Sequence, residues 1–176
     1  MSASTVFKLD SGLWDDPLFR PLSPAAKLVY IYAVSGHMAP RLPGIARLSA
    51  EIIVDQLAVS GETEAATEQG FQECLEAGIL VQDAEFAVLW APGRLAFDAP
   101  ANPNILKRIL RDLRFIPDCQ TKRAYLAEME DYVVRRGGEF VDLLRDEMES
   151  RARDAADREA VAAGFASGAG DDDGVA

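Results

Sequence analysis

The strongest constraint on this fold is a series of caps and terminators between Ser49 and Trp90. Ser49 stands just before an apolar face of Ile52, Ile53 and Leu57, where a short polar side chain can satisfy the first free amides of a helix. Val59-Ser60-Gly61 then breaks the periodicity. Ser60 is placed to cap a second helix over 62–77, one that buries Phe71, Cys74 and Leu75. Gly78 falls where a helix closes in the left-handed conformation. Beyond it, Ile79-Leu80-Val81 and the stretch 86–90 read as two short strands joined by Gln82, Asp83, Ala84 and Glu85.

Upstream, Ser23-Pro24 is a helix start, and Leu28, Val29, Ile31 and Tyr32 make the helix that follows apolar on most sides. Trp14, Leu18 and Phe19 read as plugs packed onto it. Ile45-Ala46-Arg47-Leu48 is long enough for a short strand. The order helix, strand, helix, turn, helix, hairpin is that of a winged helix-turn-helix. The expected class is therefore mainly α with a small β-hairpin, the winged unit over 1–100 followed by a helical C-terminal extension over 101–159. A disordered acidic tail is expected over 160–176, where Ala, Gly and Asp171-Asp172-Asp173 dominate.

In a winged helix-turn-helix the second helix of the motif enters the major groove, and Lys and Arg supply most of the affinity by neutralising phosphate. Here that helix offers Glu62, Glu64, Glu68, Glu73 and Glu76 and no cation, and the hairpin tip adds Asp83 and Glu85. Thr63, Thr67 and Gln69 can hydrogen-bond bases, but among five glutamates. Two readings of the acidic face Glu62, Glu68, Gln69, Glu73 and Glu76 stand side by side: a solvated surface, or a dock for a basic protein.

The whole chain carries −11, so an unspecialised grip on polyanions is excluded. The charge is uneven. Residues 1–100 hold 6 basic and 13 acidic groups, residues 101–136 hold 8 and 5, and residues 137–176 hold 4 and 11. The positive segment centres on a helix after the Pro100-Ala101-Asn102-Pro103 break. Leu106, Ile109, Leu110 and Leu113 form its apolar stripe, and Lys107, Arg108, Arg111 and Arg114 lie on its other sides. Lys122 and Arg123 follow. These six are the candidate nucleic-acid contacts, set against the alternative of a solvated face that balances nearby acids.

Two later helices, over about 121–136 and from Phe140 onward, complete the chain. The last carries Val141, Leu144, Met148 and Ala152 at steps that suit either packing on its own domain or a short homodimer seam. Its outer side offers Glu147–Arg151, Glu149–Arg153 and Asp154–Arg158 as ion pairs one turn apart.

Catalysis has no foothold. His37 is the single histidine, no acid pair is evident, and no glycine-rich phosphate loop precedes a helix. Cys74 and Cys119 form neither a disulfide framework nor a metal spacing, and Cys74 reads as a small core residue. The sequence suggests no cofactor, no secretory leader and no membrane span, and a reducing cytoplasm fits best.

The wording of the chain adds a resemblance. The run Phe7-Lys8-Leu9-Asp10-Ser11-Gly12-Leu13-Trp14-Asp15-Asp16-Pro17-Leu18-Phe19, continuing through Ser23-Pro24 to Tyr30, resembles the opening of phage and prophage replication-organiser proteins. These are similar to the N-terminal winged-helix domains of bacterial primosome and helicase-loader proteins. Gly44-Ile45, Leu75-Glu76-Ala77-Gly78-Ile79-Leu80, a wing ending in Trp90 and Pro100-Ala101-Asn102-Pro103-Asn104 extend the likeness to about residues 7–120. It implies a non-enzymatic protein of a bacterial cell or phage-infected host that binds DNA, self-associates and recruits a helicase or other replisome component. The acidic second helix and wing tip depart from that pattern, so no DNA contact is carried over there.

Overall fold

A computed structural model of the chain describes residue 9 and residues 11–35, 42–59 and 61–168. The expectations attached to residues 1–8, to His37, to Ser60 and to Asp171-Asp172-Asp173 lie outside the described residues.

A 3-10 turn over Ser11–Asp15 leads into a bend where the Asp16 carboxylate accepts the amides of Leu18 and Phe19, at 2.8 and 3.1 Å. That bend drives Phe19 into the core. Of the three expected plugs only Phe19 is one. Trp14 is 59% exposed and meets the Phe19 ring edge-on at 5.4 Å, while Leu18 stays at the surface. Helix α1, Pro24–Ser35, starts as its sequence requires: Ser23 Oγ accepts the Ala26 amide at 3.1 Å. It buries Ala26, Val29, Tyr30, Ala33 and Val34.

Strand β1, Ile45–Arg47, and helix α2, Ala50–Val59, follow, with Ser49 Oγ accepting the Ile52 amide at 3.4 Å. Helix α3 spans Glu64–Glu76 and is capped by Thr63, whose Oγ1 accepts the Ala66 amide. Gly78 takes φ +72°, the left-handed stop that the sequence calls for. The hairpin strands are β2, Val81–Asp83, and β3, Val88–Trp90, so the connection lies two residues beyond the expected one, at residues 84–87. Local chemistry sets this shift: Asp83 Oδ1 accepts the Phe86 amide, and Ala87 turns the chain at φ 50°.

Gly70 lets α3 lie against α1. A Cβ at this position would stand 2.7 Å from the Ala25 carbonyl carbon and the Ala26 nitrogen. One turn further on, the Cys74 thiol donates to the Ala26 carbonyl at 3.2 Å.

The sheet is antiparallel in the order β1-β3-β2, and Ile45 pairs with Trp90 and Ala46 with Leu89. Successive side chains point to opposite faces. Ala46 and Leu89 join the core formed with Phe19, Val29, Ile53 and Phe71. Ile45 and Val88 join a second core containing Leu106, Ile109, Tyr125 and Met129. Both faces are therefore covered, which explains why Val88-Leu89-Trp90 is continuously apolar rather than alternating.

The second core belongs to the extension. Buried Arg94 opens a short helix, α4, Arg94–Phe97. Asn102 then caps α5, Pro103–Asp112, through an Oδ1 bond from the Ile105 amide at 3.1 Å. A 3-10 turn, Leu113–Phe115, leads toward α6, Gln120–Arg136, which buries Tyr125, Met129 and Val133. Helix α7 runs over Glu139–Gly168 and packs Phe140 and Leu144 inward. It continues well past residue 160, so the expected tail is helical through Gly168; Ala160, Ala162, Ala163 and Ala166 supply the propensity. The chain is mainly helical with one small three-stranded antiparallel sheet. Among the described residues, no helix is long and apolar enough to cross a membrane.

Candidate interaction surface on helix α5

The six cations singled out in the sequence occupy very different settings. Lys122 is not a surface contact at all: it is 7% exposed, and its Nζ donates to the Ile116 carbonyl at 2.6 Å. It secures the turn between α5 and α6, a role assigned by the Ile116-Pro117 break rather than by helix periodicity.

Arg114 is committed as well. Its Nε and Nη2 donate to the two carboxylate oxygens of Glu147 at 3.2 and 2.9 Å, a bidentate pair between the 3-10 turn after α5 and helix α7. Glu147, expected to pair with Arg151 along its own helix, is 13% exposed and is taken by Arg114 instead. Arg151, Asp154 and Arg158 fall among the side chains not described. Lys107 lies 3.9 Å from Glu139. Since Lys107 faces Glu139 and Arg114 faces Glu147, α5 and α7 run side by side in the same direction.

The remaining three are open. Arg111 touches its neighbour Asp112 at 3.2 Å, and Arg123 touches Asp118 at 3.6 Å. Both arginines are well exposed, and such surface pairs contribute about 0–1 kcal/mol each, so a phosphate can displace them. Arg108 is exposed and has no ion pair among the described residues. Beside them stands Phe115, 76% exposed at the end of the 3-10 turn, a residue that charge and periodicity did not single out.

The acidic face of α3 is partly structural. Glu73 reaches across to α1, where its Oε1 accepts the Ser23 amide at 2.8 Å. The hydroxyl and amide of Ser23 hold its carboxyl below the usual carboxylate range. This completes a capping arrangement whose two halves are fifty residues apart. Thr67 is buried and donates to the Thr63 carbonyl, and Thr63 is occupied as the cap, so neither is available to a base. Glu64, Glu68, Gln69 and Glu76 remain exposed, and Glu62 is half-buried.

The sequence also gave no warning of two groups near the end of β3. Arg94 is 3% exposed and pairs with Asp98 at 2.7 Å. Gly44 makes room for it: a Cβ there would lie 2.7 Å from Arg94 Cβ. Glu128 of α6 accepts the Trp90 indole N–H at 3.2 Å and the amides of Gly93 and Leu95. Burial nonetheless holds its carboxyl above the ordinary value. Burial also pushes the Cys74 thiol up to about 12, which makes it an inert core group.

The proposed self-association seam divides. Leu144 turns into the fold of its own chain, while Met148 and Ala152 stay exposed.

Comparison with family models, with curated proteins and with solved structures finds no match.

Proposed function

We propose that this chain is a non-enzymatic winged helix-turn-helix protein of phage or prophage replication type, cytoplasmic, binding nucleic acid or a replisome partner through α5 rather than α3. The observation that carries this reading is the segregation of charge. On a chain of −11, the one net-positive segment, residues 101–136, leaves Arg108, Arg111 and Arg123 exposed. The order α1, β1, α2, α3, β2, β3 and the sheet order β1-β3-β2 support the winged unit.

Fluorescence anisotropy with labelled DNA at low salt tests it. Engagement of Arg108, Arg111 and Arg123 corresponds to a slope of log K against log salt of roughly −2 to −3, at about 0.7–0.9 per phosphate. The double variant Arg108→Ala/Arg111→Ala lowers the slope magnitude by about 1.5. An unchanged slope removes α5 from the account.

A second reading is favoured by α3 itself, which exposes Glu64, Glu68, Gln69 and Glu76 with no cation among them. In that reading the chain is an adaptor or inhibitor that docks a basic protein. It predicts that changing these glutamates to Gln abolishes partner capture and leaves DNA untouched.

A further inference from the structure

The geometry points to single-stranded nucleic acid as the ligand of the α5 surface, with Arg108 and Arg111 on its phosphates and one base stacked on Phe115. This deepens the nucleic-acid reading above and rests on it.

Residues seven apart lie on nearly the same side of a helix. Lys107 and Arg114 form the row that faces α7, where Glu139 and Glu147 receive them. Arg108 follows Lys107 on α5, and the tighter 3-10 turn carries Phe115 one position past Arg114, so each is rotated off the side that meets α7. Arg111 lies between Lys107 and Arg108 around the helix. The cations that α7 leaves open thus share a side with the ring.

That ring is held in place. Leu113 and Ile116, on either side of the Arg114-Phe115 pair, are both buried, and the Ile116 amide donates to the Leu113 carbonyl at 3.1 Å. Lys122 holds the Ile116 carbonyl from below. A backbone fixed on both sides sets where Phe115 leaves the chain, so stacking on it needs no ordering of the main chain.

The surroundings select the ligand. An aromatic anchor for a protein partner sits among apolar neighbours that exclude water. The sequence neighbours of Phe115 outside the core are Arg111, Asp112, Arg114 and Asp118. Charged guanidinium groups around one exposed aromatic suit a ligand with alternating phosphates and flat faces. The guanidinium fork matches phosphate oxygens, and a phenyl ring accepts any base. A duplex hides its base faces within its own stack, whereas a single strand shows them. A short strip of cations on a chain of −11 also fits a short segment of flexible strand better than a long rigid duplex.

The test uses the full chain with a fluorescein-labelled oligothymidylate and a duplex of equal charge, both at low salt. Phe115→Ala is expected to weaken oligothymidylate binding about tenfold, the usual scale for one stacked base, and to leave the duplex unchanged. Phe115→Trp is expected to retain the affinity and to show fluorescence quenching on binding beyond that of the wild type. Circular dichroism melting checks that both variants fold. Equal affinity of Phe115→Ala and wild type, or equal losses on strand and duplex, overturns the stacking while leaving nucleic-acid binding through α5 in place. Failure of the wild type to bind either DNA overturns both.

Discussion

Glu147 takes both Nε and Nη2 of Arg114, so the acidic helix α7 is fastened by a bidentate ion pair to the 3-10 turn that follows the basic helix α5. The pair also decides which cations of α5 remain open, because Arg114 and Lys107 are turned toward α7 and Arg108 is not. Breaking it from either end leaves a charge without its partner. Arg114→Ala and Glu147→Ala are each expected to cost about 1 kcal/mol, and the double variant to reveal a coupling of about 0.5–1 kcal/mol, modest because Arg114 is largely exposed. Urea titration of the four proteins measures it, and strict additivity would show that the pair stabilises nothing.

Gly70→Ala sets two effects against each other. Alanine gains about 1 kcal/mol of helix propensity over glycine. The added Cβ, however, meets backbone atoms of Ala25 and Ala26 at 2.7 Å, and backbone cannot swing aside like the end of a side chain. Forced separation of two packed helices costs typically 1–3 kcal/mol and can cost more. Net destabilisation of about 1–2 kcal/mol is expected, read as a lower melting temperature. A stabilised variant would mean that α1 and α3 are less closely packed than described.

Two carboxylates give opposite pH dependences. Burial raises the Glu128 carboxyl above 4.5, so the folded chain holds that proton more firmly than the unfolded chain. Its contribution is complete below the unfolded value and is lost as pH rises through the raised folded value. Glu73 is depressed by Ser23, so its contribution is present above 4.5 and is lost as pH falls. Glu128→Gln keeps an oxygen for the Trp90 indole and removes the ionisation. Its urea midpoint is expected to exceed wild type at neutral pH and to converge with it in acid. Glu73→Gln should fall below wild type at neutral pH and converge in acid. Parallel profiles for all three proteins would contradict both assignments.

Tyr125 has its hydroxyl in the second core, fully buried and without a hydrogen-bond partner among the described residues. Burying an unsatisfied hydroxyl costs roughly 1–3 kcal/mol. Tyr125→Phe removes the oxygen and keeps the ring, so stability is expected to hold or to rise by up to about 1 kcal/mol. A loss above that size would indicate a bond to the hydroxyl.

The local logic of the fold was readable before any coordinates. Ser23, Ser49, Asn102 and Gly78 act through neighbours a few residues away, and the elements begin and end close to where their chemistry requires. Long-range relationships were not readable in the same way. Glu73, Glu128 and Glu147 look like solvated charges in a periodic pattern, yet each is held by a group 33 to 50 residues distant. One long-range feature did leave a local mark: Val88-Leu89-Trp90 has no polar alternation, and a strand with a wet face would have shown one. Lys122 went the other way, since nothing in its spacing distinguishes a lysine drawn under a turn from one in water. Phe115 was passed over because a single exposed aromatic is indistinguishable from a core residue until its burial is known.

A sheet dry on both sides has an order of assembly built into it. During synthesis β3 leaves the ribosome before Tyr125 and Met129 exist, so Val88 begins life on a wet face and stays there until α6 emerges. The hairpin is therefore finished from the C-terminal side. An interrupted chain ending near residue 100 would carry its first core intact and its second face bare, a sticky surface that the completed molecule never shows.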